Sequence, residues 1–270
     1  MNNIKLQQGT FYYYDSSDPV VSALKQGYLF GANNWNLIKQ VSSIYPNEGG
    51  IVDVGAHIGT FSYEALTSDD KYILVEADET NCQCLRQTFD GRDNVTIVET
   101  LVSDRAGRAD FSERRGPFGW IEYNEEGKYE TRTIDDILKN EKVKILKLDI
   151  EGSEILALNG ATQTLAQRPL MIVEVNGYCL MQQNKRSNDL LQKIDDLGYD
   201  IYMFVNGAQL LIDPKNFFPF CVADVVCIPK EFEKRINAQV LPNDQAEAYY
   251  NSIKDGYNSD CKSYFEWVRK

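Results

Sequence analysis

From Gly50 onward, short apolar runs rich in β-branched residues alternate with segments whose apolar positions recur at helical spacing. "GIVDVG", "KYILVEAD", "NVTIVETLV", "VKILKLDI" and "PLMIVEVN" read as strands. "TFSYEALTSDD", "ETNCQCLRQTFDG", "TIDDILKNE", "SEILALNGATQTLAQ" and "SNDLLQKIDDLG" read as helices, the last with Ser187 placed to cap it. Such alternation implies right-handed crossovers and a mostly parallel sheet. The near-continuous apolar character of "KILKLDI" and "LMIVEV" fits strands buried on both faces. "YDIYMFVNG" and "DVVCIPK", joined by "AQLLIDPKNFFPF" without a helix, add an antiparallel ending and bring the count to about seven strands. "RAGRADFSERRGPFGW" reads as a hairpin excursion. The expectation is an α/β fold with a doubly wound, seven-stranded, mostly parallel sheet over residues 50–230. Helical extensions flank it, the N-terminal one over 1–49 and the C-terminal one over 231–270.

Ligands of an open parallel sheet bind beyond the carboxyl ends of its strands, where the strand order reverses. Five successive strands here end in polar acceptors: Asp53, then Glu76 with Asp78, Ser103 with Asp104, Asp149 with Glu151, and Glu174 with Asn176. The first turn, "DVGAHIG", fails the dinucleotide fingerprint, because His57 and Thr60 stand where glycines are needed. It also fails the phosphate-loop pattern, since no Gly-Lys-Ser/Thr follows Gly59. What remains is an acid followed by Gly55 and Gly59, a turn that lets the backbone approach a ligand closely. Asp53 would repel phosphate and attract an ammonium or sulfonium group. Glu76 is placed to accept from a ribose diol, and Asp104 from an adenine amino group. Read in chain order, these acids match S-adenosylmethionine.

"IVDVGAHIGTF", "VEAD", "LVSDRAG", "TIDDIL" and "KILKLDIEGSEILALNG" together resemble the FkbM family of class I methyltransferases, over roughly residues 20 to 228. "LKLDIEGSE", in the correct order after the first motif, is the more specific part. The chain departs from the family pattern in "VEADET", where a proline commonly follows the acid. The resemblance implies a Rossmann-like sheet with methyl transfer from S-adenosylmethionine, usually to a hydroxyl oxygen of a sugar or glycosylated small molecule. It also implies that Asp53, Gly55, Ala56, His57, Gly59, Phe61, Glu76, Ala77, Ser103, Asp104 and Asp149 hold the cofactor.

Asp149, Glu151, Glu174 and Lys147 are the candidates for catalysis. Glu151 and Glu154 are spaced to share one helix face. An O-methyltransferase needs groups to orient a hydroxyl and take its proton, and that use of the acids is preferred to a divalent cation held by Asp149, Glu151 and Glu174. No metal is therefore expected. Lys147 either stabilises an alkoxide or pairs with a carboxylate. His57, the single histidine, is read as packing rather than as a base. "SDRAG" is also a good turn, so Asp104 has a structural reading as well. Arg105, Arg108, Arg114 and Arg115 either receive an anionic acceptor, with Phe118 or Trp120 stacking on it, or pair with Glu113 and Glu122 on a solvated hairpin. "FYYY" at 11–14, with Tyr28, Phe30 and Trp35, forms either a lid or ordinary core.

The net charge of −12 opposes a nucleic-acid partner, and no window approaches about 18 consecutive apolar residues, which opposes a membrane span. The acceptor is thus read as a small molecule, which the resemblance implies is carbohydrate-like. "MNNIKLQQGTFYYYDSSDP" lacks a basic segment followed by an apolar one. The six cysteines form no paired CxxC spacing and are read as reduced cytoplasmic thiols. A nucleotide-dependent oxidoreductase and a non-catalytic Rossmann-like binding protein are the alternatives.

Overall fold

The computed structural model describes residues 1–29, 48–111, 121–205, 208–232 and 238–270. The chain opens with β1 (Asn2–Lys5), β2 (Thr10–Tyr13) and α1 (Pro19–Lys25). The alternating region begins with β3 (Gly50–Val54), a 3-10 turn at Phe61–Leu66, β4 (Tyr72–Glu76), α2 (Glu79–Thr88) and β5 (Val95–Glu99). The excursion holds β6 (Leu101–Val102), β7 (Gly107–Phe111), β8 (Ile121–Tyr123) and β9 (Tyr129–Arg132). Then come α3 (Ile134–Leu138), β10 (Val143–Leu148), α4 (Glu154–Asn159), α5 (Thr162–Ala166), β11 (Leu170–Asn176), α6 (Gly177–Gln182) and α7 (Ser187–Asp196). The chain finishes with β12 (Tyr199–Val205), β13 (Ala208–Ile212), β14 (Val222–Pro229), β15 (Gln239–Val240), α8 (Asn243–Ile253) and α9 (Ser259–Val268).

The main sheet runs β15-β13-β12-β14-β11-β10-β3-β4-β5. Among the described residues it has nine strands where seven were expected. β13 comes from "AQLLI", read above as a connector, and covers the open edge of β12 as a hairpin; the two-residue β15 then adds to β13. Strands β3, β4, β5, β10 and β11 are parallel, and β14 lies antiparallel to both β11 and β12. Strand order reverses between β3 and β10, which places the crevice there. One face carries Val52, Leu146, Leu148, Val173 and Val175 into the larger core. The other carries Ile51, Leu74, Ile145, Ile172 and Val226 into a second.

Local readings changed where distant groups intervened. The expected third strand breaks at Thr100, whose N–H bonds to Glu76 and whose hydroxyl bonds to the Glu130 carbonyl. Beyond it the chain joins a separate four-stranded sheet, β6-β9-β7-β8. The helix expected over "SEILALNGATQTLAQ" is two helices, because Asp135 caps the second by accepting from the N–H groups of Gln163 and Thr164. Ser187 does not cap α7. Asp189 accepts from the Arg186 N–H at that end, while the buried Ser187 hydroxyl accepts from Tyr264 at 2.8 Å.

The described N-terminal residues form a hairpin and one short helix rather than a helical extension. Phe11 is fully buried with Val21, Leu24, Ile58, Tyr63 and Cys84, so this part of the aromatic run is core. Tyr28 is exposed, and Phe30 and Trp35 lie outside the described residues. At the far end, α9 packs on α6 and is tied to the start of β14 by a Cys221–Cys261 disulfide. Reduced thiols were expected for all six cysteines; Cys82, Cys84, Cys179 and Cys227 are free and buried. Cytosolic proteins seldom keep such a crosslink, and no CxxC spacing announced it. No helix among the described residues is long and apolar enough to cross a membrane.

Thiol titration of denatured, unreduced protein should count the four free cysteines and, after reduction, all six. Reduction should lower stability by about 2–4 kcal/mol, measured by denaturant unfolding.

Besides its apolar packing, the N-terminal segment meets the core through Asp18 Oδ2, 3.4 Å from His57 Nε2. The histidine hydrogen bond lowers the Asp18 pKa; burial opposes the His57 charge, but Asp18, with Glu76 and Asp149 behind it, raises the His57 pKa. The Asp18 contribution is present above its unfolded pKa near 3.9, and that of His57 below about 6.5, fading as pH rises through its higher folded value. Hydrogen-exchange protection of residues 10–25, corrected for intrinsic rate, should therefore fall as pH rises above about 6.5. Asp18→Asn should remove that dependence.

Candidate active site

Strand period and register put the decisive side chains on one face of the sheet. Asp53 lies opposite Lys147, Lys147 opposite Ile172, and Glu174, two residues past Ile172, lies opposite Asp224. Asp149 follows Lys147 by two, beyond the end of β10. The face thus carries an acidic rim with one lysine at its centre.

That lysine is almost sealed, with 5% of its surface exposed. Its Nζ stands 3.0 Å from Asp149 Oδ2 and 3.2 Å from Asp53 Oδ1, and 5.2 Å from the Phe61 ring centroid. Burial opposes its charge, yet Asp149 and Asp53 overcome this and raise its pKa above the ordinary lysine value. Asp53 is completely buried, and its Oδ2 accepts from the Ser62 hydroxyl at 2.7 Å. It therefore faces inward, and its charge is answered by Lys147, not left for a sulfonium ligand. Of the two readings of Lys147, the structure shows carboxylate pairing.

The turn after β3 is built by close approach. Gly55 has φ +80°, and a Cβ there would lie 1.8 Å from the Asp149 carbonyl oxygen, so the loops after β3 and β10 touch only because this residue is glycine. Gly59, at φ +92°, would collide with Leu85 and Phe89 of the α2 region. His57 occupies the left-handed region at φ +50°. Its N–H donates to Glu76 Oε2 at 2.8 Å, and the Asp78 N–H donates to Glu76 Oε1 at 2.8 Å. Each Glu76 oxygen keeps further acceptor capacity. Burial raises the Glu76 pKa against these two bonds. Ala56 is buried beneath the turn and Ala77 is half-buried beside Glu76.

Ser103 and Asp104 stand past β6. Asp104 Oδ1 accepts from the Tyr123 hydroxyl at 2.6 Å, and Ser103 hydrogen-bonds the same hydroxyl. The Arg105 guanidinium lies 3.6 Å from the Tyr123 ring centroid. Tyr123 carried no sequence signal, since only the β7–β8 hairpin brings it here. Arg108 donates to the Gly127 and Lys128 carbonyls and so braces the hairpin. Glu113, Arg114, Arg115, Phe118 and Trp120 lie outside the described residues.

On the other side of Lys147, Asp149, Glu151 and Glu174 each place one oxygen within 4.8 Å of the others. Glu151 sits in a left-handed turn at φ +51°. Its Oε2 accepts from the Asn176 amide at 2.7 Å and the Cys179 thiol at 3.3 Å. Glu154 does not share a helix face with it. That side chain is fully buried and folds back to accept from the Ile150 and Gly152 N–H groups. Burial pushes Glu151 up to about 7 and Glu154 to about 8, with the Asp149 charge adding to both. Burial and the neighbouring acids raise Glu174 well above the carboxylate range, and its Oε2 is buried without a hydrogen-bond partner. Cys179 and Asp224 were not singled out in the sequence. Cys179 enters from helix α6 through Glu151, and Asp224 from β14 opposite Glu174.

These features fit S-adenosylmethionine by the chemistry of the donor set: a glycine-built turn, a glutamate with oxygens already oriented for a diol, and an oriented aspartate past the next strand. No curated protein matches the chain. Among solved structures, precorrin-6y C5,15-methyltransferase from Geobacter metallireducens GS-15 shares 11% identity with a TM-score of 0.39, covering 73% of this chain and 88% of its own. A methyltransferase from Geobacter sulfurreducens shares 14% identity with a TM-score of 0.43, covering 80% and 91%. The profile of the methyltransferase FkbM domain matches residues 53–201, more than half of the chain. With that match, the chain belongs to the FkbM family of S-adenosylmethionine-dependent methyltransferases.

Proposed function

We propose that this enzyme methylates a hydroxyl oxygen of a sugar or glycosylated small molecule. The convergence of Asp149, Glu151 and Glu174 within 4.8 Å is the observation that carries this reading. A hydroxyl seated among them meets carboxylate oxygens that can orient it and take its proton. The net charge of −12 favours a small acceptor over a polyanion. The catalytic unit is read as residues 50–230, flanked by extensions over 1–49 and 231–270.

When bound, S-adenosylmethionine supplies a methyl group on positively charged sulfur. Glu76 would hold its ribose diol, Asp104, oriented by Tyr123, would accept from its adenine amino group, and the Gly55–Gly59 turn would lie along its amino-acid portion. Asp53 would act at one remove, fixing Lys147 and Ser62. Lys147 in turn fixes Asp149 on the acceptor side. Rate enhancement in such a site comes chiefly from alignment.

Calorimetric titration with S-adenosylhomocysteine should show binding by the wild type that weakens at least tenfold in Glu76→Ala, about 1.4 kcal/mol. Absence of binding by folded wild type would overturn the reading. In methyl-transfer assays on sugar acceptors, Glu174→Gln should lose about 100-fold or more in kcat while keeping its S-adenosylhomocysteine affinity. Loss of affinity in that variant would instead move Glu174 to the cofactor side.

A further inference from the structure

Asp149 and Glu151 share the loop after β10, and the fold brings Glu174 of β11 to them and holds the three acids together against their mutual repulsion. Asp149 is tethered by Lys147, Glu151 by Asn176 and Cys179, and Glu174 by the pairing of β11 with β14. Lys147, the cation described among them, is already shared between Asp53 and Asp149. A cluster of acids alone does not specify a ligand. The second observation is Glu174, which belongs to the cluster yet keeps its Oε2 shut away from solvent with no hydrogen-bond partner. A buried carboxylate oxygen in that condition is costly unless something positive meets it.

We propose that Asp149, Glu151 and Glu174 bind a hard divalent cation of the magnesium, calcium or manganese type, which holds the oxygen of the acceptor hydroxyl. The ligand set is all carboxylate oxygen, which suits hard ions. Such ions take oxygens at about 2.0–2.6 Å, so two ligands of one ion lie at most about 4–5 Å apart. The separation found, within 4.8 Å for all three, falls inside that limit. Softer metals lack their ligands here, because the single histidine faces Asp18 and the Cys179 thiol donates to Glu151. Three protein oxygens leave coordination positions for water and substrate, and an acceptor with adjacent hydroxyls, as on a sugar, can fill two of them. The assignment deepens the acceptor reading above and rests on it for the identity of the incoming oxygen.

The test uses the full chain and Mn²⁺ as probe, followed by electron paramagnetic resonance with competition by Mg²⁺ and Ca²⁺. The expected result is one Mn²⁺ per chain, displaced by the competitors. Glu174→Gln and Glu151→Gln should each weaken it at least tenfold while S-adenosylhomocysteine binds both variants as it binds the wild type. A wild type that binds S-adenosylhomocysteine but takes up no Mn²⁺ overturns the cation site and leaves methyl transfer standing. Uptake unchanged in both variants overturns it as well, by placing the ion elsewhere. Site-dependent Mn²⁺ binding without any S-adenosylhomocysteine binding supports the cation site and overturns the methyl-transfer reading.

Discussion

A lysine buried between two aspartates sits where the sheet changes direction, and the site is arranged around it. Lys147 joins Asp53 on the neighbouring strand β3 to Asp149 just past its own strand. Removing one member of such a buried set costs about 3–5 kcal/mol, because the charge left behind has no water to turn to. Backbone pairing brings the ends of β3 and β10 together, close enough that a Cβ on Gly55 would meet the Asp149 carbonyl, and the ion pairs join the same two ends. From that contact the turn presents the His57 N–H to Glu76, which orients the carboxylate assigned to the ribose. One electrostatic constraint thereby reaches both the cofactor side and the acceptor side.

The two ends of the chain brace opposite halves of this arrangement. The N-terminal hairpin packs on α2 and reaches His57 through Asp18. The C-terminal helix α9 lays Tyr264 against Gly177, one residue beyond the Asn176 that holds Glu151. Tyr264 also hydrogen-bonds Ser187, and the Cys221–Cys261 disulfide ties the same helix to the strand beside Glu174. Segments with no motif of their own therefore support residues that do carry one.

Much of the architecture could be read locally. Apolar runs such as "KILKLDI" announce buried strands because a parallel strand must be apolar on both faces, and the acids follow those runs because strand ends meet water. The same logic failed where a remote partner decided the outcome. The two-helix break after Asn159 depends on Asp135, and the loss of Ser187 as a cap depends on Tyr264 and Asp189. β13 was read as a connector because an edge strand is recognised by the neighbour it pairs with, β12, more than by its own composition.

By itself, the sequence determined the order of strands and helices, the glycine-built turn after the first strand of the core, and which strand ends carry acids. Those features depend on residue period and backbone freedom, which are local. Tertiary structure alone decided which acids meet. It turned Asp53 inward to Lys147. It also gathered Asp149, Glu151 and Glu174 and brought Tyr123 to Asp104. The reason is physical: what a carboxylate does depends on its burial and on the charges within a few ångströms, and those neighbours are supplied by strands distant in the chain.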